Sequence, residues 1–256
     1  MKLVIKSGAA AFLLLLFMFK NAFDHKLRHQ TIKLEAKVPF RPFKLLFIAD
    51  IHRRKIPEEM LDFPVDVILI GGDLAERGVP LKRVAENLKI LKDKAPVYFI
   101  WGNNDQEVKE RNLRKLFAHF GVKVLDNEAV SLLGNPNLKL VGVNYLDLGK
   151  EGLDRAFSKV GEEDTVIFAS HSPFLFKRVK KKYKVDFLLA GHTHGGQIRL
   201  GKLGLYRKGA LRVKGDKPEL VTNGFGTTSL PLRLGAPAEF HLLAIEPKRK
   251  VWQKYE

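Results

Sequence analysis

From Lys44 onward the chain alternates short apolar runs with polar loops and amphipathic stretches. Runs 45–49, 67–70, 97–101, 139–143, 166–169 and 187–190 are rich in β-branched and aromatic residues. Their apolar side chains are consecutive rather than alternating, which predicts strands buried on both faces. Between them, 80–94 carries Leu81, Val84, Leu88 and Leu91 at helical spacing, and 106–120 reads as a second helix. The Gly-rich tail from about Ile198 reads as shorter strands and turns, ending in the apolar run 240–245. Strands alternating with helices predict an α/β fold. With no internal repeat and no long linker, residues 40–250 are expected to form one domain.

The amino-terminal segment breaks this pattern. Residues 8–19 form an unbroken apolar run of 12, extended across Lys6 by Leu3, Val4 and Ile5. A bilayer span takes about 20 apolar residues. The run ends in Phe19 and is followed by Lys20, Asn21, Ala22 and Phe23, a poor signal-peptide cleavage site. The expectation is a retained hydrophobic anchor helix over residues 1–28. Lys20, Lys26, Arg28, Lys33 and Lys37 follow the run, so the positive-inside rule places the body on the cytoplasmic face.

Composition narrows the chemistry. The 256 residues are 45% apolar and contain no Cys, which excludes a mainly disordered chain, a disulfide scaffold, a zinc finger, an Fe–S cluster and a Cys nucleophile. Any metal must be held by His, carboxylate and amide groups. The net charge of +17 favours phosphate-bearing partners.

Most of the expected strands run into metal-capable residues. Run 45–49 leads to Asp50-Ile51-His52, 67–70 to Gly71-Gly72-Asp73, and 97–101 to Gly102-Asn103-Asn104-Asp105. Run 166–169 leads through Ser170 to His171, and 187–190 to Gly191-His192-Thr193-His194. Each alone reads as ordinary turn or N-cap chemistry. Ligands of open α/β sheets bind at the carboxyl ends of strands, so together the loops gather these groups on one edge. In an extended segment, Asp-x-His and His-x-His present both side chains to the same side, where they can chelate one ion. Carboxylate oxygen with imidazole nitrogen suits Mn, Fe or Zn. One carboxylate, assigned to Asp73, can bridge two ions about 3.5–4 Å apart.

In this order the motifs resemble the calcineurin-like metallophosphoesterases, from about residue 44 to 245. The stretch Gly191-His192-Thr193-His194-Gly195-Gly196-Gln197-Ile198-Arg199, with Gly224-Phe225-Gly226-Thr227 and Pro231-Leu232-Arg233 to Pro237, resembles the bacterial membrane-associated, YkuE- and YaeI-like branch. That branch is related to an enzyme cleaving UDP-2,3-diacylglucosamine. The resemblance implies an αββα sandwich of two mixed sheets and two divalent cations, Mn²⁺ first, with Zn²⁺ or Fe as alternatives. It assigns Asp50, His52 and His194 to one ion, Asn103, His171 and His192 to the other, and Asp73 to both. It also implies a hydroxide between the ions attacking phosphorus in line.

One position departs from the family. Where a His ordinarily follows Gly-Asn, this chain has Asn104, which donates hydrogen bonds but is no general acid. A leaving group that needs no proton resolves this. Pyrophosphate cleavage releases a phosphate monoester, whose second pKa is about 6. Asp105 is then expected to orient Asn104. Arg199 and Arg233 are candidate phosphate contacts, since a guanidinium fork matches phosphate. The basic cluster 177–184 reads as a solvated helix face or a membrane-surface contact. The resulting expectation is a hydrolase of a phosphodiester or pyrophosphate, acting on a phosphate-bearing small molecule or a lipid-linked substrate such as UDP-2,3-diacylglucosamine at a membrane surface, with no specific nucleic acid partner. A nuclease or nucleotide phosphodiesterase and a non-catalytic metal-bound scaffold are the rival classes.

Overall fold

The computed structural model describes residues 2–214 and 217–248. Chain order is α1 (Lys2–Ala22), β1 (Lys26–Leu34), β2 (Phe43–Ile48), β3 (Val67–Ile70), α2 (Leu81–Lys92), β4 (Val97–Phe99), α3 (Glu110–Phe120) and β5 (Lys123–Val124). There follow β6 (Glu128–Leu132), β7 (Asn135–Gly142), α4 (Lys150–Phe157), β8 (Thr165–Ala169), α5 (Phe176–Lys182), β9 (Phe187–Ala190), β10 (Ala210–Lys214), β11 (Lys217–Val221) and β12 (Glu239–Pro247).

Two six-stranded mixed sheets result, ordered β1-β12-β2-β3-β4-β5 and β10-β11-β9-β8-β7-β6. The alternation hidden in the consecutive apolar runs is visible in how each strand splits its side chains. Leu45, Phe47, Leu69, Ile167, Ala169, Phe187 and Leu189 share one core cluster between the sheets. Their neighbours Leu46, Ile48, Ile68 and Ile70 pack outward with Val84, Leu88 and Leu91 of α2 and Leu113 and Phe117 of α3. On the other side Val166, Phe168 and Leu188 pack with Leu153 of α4 and Val179 of α5. Both faces of the central strands are thereby dry, and the layers read helix, sheet, sheet, helix.

Strands β2, β3, β4 and β5 are mutually parallel, as are β7, β8, β9 and β11. Each set sends its carboxyl ends to one edge, which is what brings distant loops together. The pattern reading did not single out β1, which pairs in parallel with β12 at the rim of the first sheet.

The expected membrane anchor is corrected here. Among the described residues no helix is long and apolar enough to cross a membrane. The physical reason is reach: the unbroken run 8–19 is 12 residues, about 18 Å as a helix, against a hydrocarbon core of about 30 Å. Helix α1 instead lays Met18 and Ala22 against the domain and leaves Phe12 to Phe17 exposed. The Met18 carbonyl accepts from the Arg233 amide at 2.9 Å. The buried Arg54 guanidinium donates to the Phe23 and Asp24 carbonyls and lies 4.0 Å from the Phe225 ring centroid. Met1, and residues 249–250 of the expected domain, lie outside the described residues.

Candidate metal centre

Every loop that carries chemistry begins where a strand of one parallel set stops. Main-chain bonds then stitch the loops together: the Asp50 amide donates to the Gly72 carbonyl at 3.0 Å, Ile51 and His52 to the Asp73 carbonyl at 2.8 and 3.0 Å, and Gly191 to the His171 carbonyl at 3.0 Å. The ends of both sheets are thus tied around one point.

The backbone at this point is not extended, contrary to the same-side argument from Asp-x-His and His-x-His. Asp50, His52, Asp73, His192 and His194 all have positive φ, between 48° and 71°. For residues with a Cβ this left-handed region costs about 1–3 kcal/mol each, and such strain persists where the surroundings over-determine it. Two glycines let the loops close so tightly. A Cβ on Gly191 would stand 2.6 Å from Asp50 Oδ2, and one on Gly102 would collide with Asp73 Oδ1.

The donor atoms fall into two groups: one from Asp50, His52 and His194, the other from Asp50, Asp73 and His171. In each, the candidate ligand atoms lie within 4.8 Å of one another. His52 Nε2 and His194 Nε2 face each other at 3.2 Å. Asp73 Oδ2 is 3.2 Å from His171 Nε2 and 3.8 Å from His52 Nε2, so it stands between the groups. Asp50 Oδ1 is also shared, at 3.5 Å from His194 Nε2 and 4.0 Å from His171 Nε2. Asn103 Oδ1 lies 3.2 Å from His171 Nε2, on the second group's side. His192 belongs to neither group. Its amide donates to the Asp50 carboxylate, while its half-buried ring contacts those of His171 and Tyr145.

This donor set fits divalent cations. Asp50 and Asp73 are buried, and their only ion-pair partners among the described residues are imidazoles. Two buried carboxylates cannot both stay ionised without positive charge beside them. Without a cation the site recruits protons. Burial alone would lower the His171 pKa, but Asp73, by charge and hydrogen bond, and Asp50 push it up to about 9. Burial opposes the same change at His52, which is raised by Glu76, Asp73 and Asp50. Burial and then the neighbouring Asp73 raise Asp50, whereas at Asp73 the effect of burial is outweighed by His171 and His52 and its pKa falls. His194 is held well below the usual imidazole range by burial, then by His52 and Arg233, so its ring is neutral.

Several roles differ from those expected. Asp105 does not orient Asn104. Its carboxylate accepts the amides of Asp73, Gly102 and Ala75 at 2.8, 2.9 and 3.1 Å, clasping the β3 and β4 loops. Burial, followed by the Asp73 charge, pushes its pKa up to about 7. The Asn104 amide donates to Asp73 Oδ1 at 2.8 Å, and its side-chain oxygen accepts from Asn103 Nδ2. Neither expected phosphate arginine faces open space. Arg233 is fully buried, donating to the Gly226, Asn223 and Ala236 carbonyls, with Nη2 3.2 Å from His194 Nδ1. Arg199 is likewise turned inward onto the Gly195, Lys202 and Tyr206 carbonyls. Glu76, which lies outside every motif named above, faces His52 Nδ1 from 2.9 Å and pairs with Arg53. A carboxylate behind a ligating imidazole fixes its tautomer and orientation.

The fold and this cluster of carboxylate, imidazole and amide donors define a metal-dependent hydrolase of phosphoesters. The calcineurin-like phosphoesterase family model matches residues 43–196, and the chain belongs to that family as a metallophosphoesterase. The uncharacterized protein YpbG of Bacillus subtilis is 36% identical over 234 residues, covering 89% of this chain and 90% of its own. The phosphodiesterase YaeI of Escherichia coli is 31% identical over 229 residues, covering 80% and 82% respectively. Among solved structures, the sulfate thiohydrolase SoxB of Thermus thermophilus matches with a TM-score of 0.51 at 14% identity, over 82% of this chain and 57% of that one. The fold alone is shared at that distance, and this chain spans little more than half of the SoxB structure.

Proposed function

We propose that the chain hydrolyses a phosphodiester or pyrophosphate at two divalent cations, Mn²⁺ first, with Zn²⁺ or Fe as alternatives. Asp50, His52 and His194 would hold one cation, Asn103 and His171 the other with His192, whose ring centroid lies 4.9 Å from that of His171, and Asp73 would serve both. What carries this reading is the position of Asp73 Oδ2 between His52 and His171. When bound, the cations supply Lewis acidity toward the phosphoryl oxygens and lower the pKa of water.

The protein's own residues do the rest. Asp105 fixes the loops that carry Asp73 and Asn103, so these donors meet substrate already oriented. Glu76 faces His52 Nδ1 from behind, and Arg233 steadies the His194 loop by donating to the His194 main-chain carbonyl. Asn104, adjoining Asp73 and Asn103, offers an amide donor to a non-bridging phosphoryl oxygen. It moves no proton, which favours leaving groups that are stable as anions, a phosphate monoester above all. A phosphoryl-linked lipid or sugar fits that requirement.

The test pairs metal content with turnover. Purified full-length chain is expected to take up two equivalents of Mn²⁺ and hydrolyse bis(p-nitrophenyl) phosphate. Asp73→Asn should lower both the stoichiometry and the rate. Undiminished turnover in that variant would overturn the two-cation reading.

A further inference from the structure

A cavity of about 570 Å³ opens beside the metal centre, bounded by α5, the loop after His194 and the strands β10 and β11. Phe174 connects the two. Its ring centroid lies 6.3 Å from that of His192 on one side and 6.3 Å from that of Tyr206, on the cavity wall, on the other. Thr193, between the two motif histidines, also lines the cavity, and its buried hydroxyl has no hydrogen-bond partner among the described residues.

Two features of the lining select a ligand. The first is charge. Lys177, Arg207 and Arg212 line the cavity, and none pairs with a carboxylate among the described residues, whereas Lys180 in the same wall is neutralised by Glu219. Arg212 spends one donor on the Lys208 carbonyl at 2.6 Å and keeps its charge. Three uncompensated cations around one cavity attract an anion, and guanidinium groups favour phosphate. The second is apolar surface: Phe174 is 67% and Leu205 81% exposed, so the cavity presents uncovered apolar side chains beside its cations.

We propose that this cavity receives the non-reacting half of the substrate, an alkyl chain joined to an anionic phosphate. The phosphate sits among Lys177, Arg207 and Arg212, and the chain runs along Phe174 and Leu205. This deepens the phosphodiester-or-pyrophosphate reading and rests on it: a second phosphate beside the scissile one is what a pyrophosphate-linked amphiphile offers.

Calorimetric titration of the Mn²⁺-loaded full-length chain with octyl phosphate, methyl phosphate and octyl glucoside, all below micelle-forming concentrations, tests it. Octyl phosphate should bind at least about tenfold more tightly than either control, since each fully buried methylene contributes up to about fourfold. Leu205→Ser should cut the octyl-over-methyl ratio at least threefold, as a rough lower bound. Lys177→Gln with Arg207→Gln should weaken octyl phosphate at least about fivefold. Both changes sit at surface positions, so at least one should leave a folded protein to measure. Equal affinity for octyl and methyl phosphate, or for octyl phosphate and octyl glucoside, would overturn the proposal. So would unchanged octyl phosphate binding in both variants. Bis(p-nitrophenyl) phosphate hydrolysis by the same preparation reports on the two-cation reading separately. A chain that prefers octyl phosphate but hydrolyses nothing supports the cavity and sinks the catalytic reading.

Discussion

The two sheets contribute unlike chemistry to one centre. The first supplies both candidate carboxylate ligands, Asp50 and Asp73, together with His52, Asn103 and the supporting Asp105 and Glu76. The second supplies only imidazoles, His171, His192 and His194. Negative charge is therefore concentrated on one half, where main-chain donors and Arg53 offset it. The other half brings groups whose charge follows their surroundings, and these diverge: His171 is raised and His194 lowered. The first sheet sets the charge of the centre, and the second adds only imidazole donors to it.

If so, the largest losses come from the first sheet. Asp73→Asn removes a charge and the shared oxygen together, and turnover should fall on the order of 10²–10³-fold, the size found when a preorganised electrostatic group is removed. His171→Asn keeps a possible ligand and should cost less. Equal losses in the two variants, measured at saturating Mn²⁺, would erase the asymmetry between the halves.

A smaller effect is expected behind the ligands. Glu76→Gln leaves all the ligands in place but replaces the carboxylate facing His52 Nδ1 with an amide. Mn²⁺ affinity should drop roughly 10–100-fold, with most of the rate recovered at high Mn²⁺. Losses that excess metal cannot restore would mean that Glu76 acts on substrate rather than through His52.

Asn104 gives a prediction in the opposite direction. Asn104→His introduces a titratable ring next to the donors, and hydrolysis of esters with poor leaving groups should rise about tenfold, toward the lower end of general-acid effects. Esters with good leaving groups should change little. Equal change on both would remove the link between Asn104 and leaving-group chemistry.

Much of this centre was legible because consecutive apolar residues ending in Gly and a metal-capable side chain mark the end of a buried strand. Strands β3 and β9 coincide with the runs 67–70 and 187–190, and the loops after them carry Asp73, His192 and His194. The left-handed backbone at Asp50 and His194 was not legible, since it is imposed by tertiary bonds between loops rather than by local preference. Arg233 misled for a related reason. A guanidinium suits phosphate, but five donors suit a knot of buried carbonyls equally well, and only the fold decides between them. The amino-terminal run misled through length. Its hydrophobicity suggests a span, yet its end lays Met18 against the domain, where the Met18 carbonyl accepts from the Arg233 amide, with Phe12 to Phe17 left uncovered.

The seam between the two halves offers the gentlest test. His241, on β12 of the first sheet, lies with Nδ1 3.0 Å from Gln30 Oε1 of β1 and Nε2 3.0 Å from the Thr222 hydroxyl, which follows β11 of the second. A neutral ring satisfies both contacts, donating at one nitrogen and accepting at the other. Burial, and then the Arg28 charge, hold its pKa down at about 3, against 6.5 for a free imidazole. Between those values the unfolded chain binds a proton that the folded chain refuses. Stability contributed by the neutral pin is therefore fully present above pH 6.5 and is lost as pH falls toward 3. The slope attributable to this group approaches about 1.4 kcal/mol per pH unit within the window. His241→Gln keeps a donor and an acceptor without the titration, so urea unfolding between pH 4 and 6 should show a flatter dependence by up to about that amount. An unchanged slope would mean that the seam tolerates a charged ring.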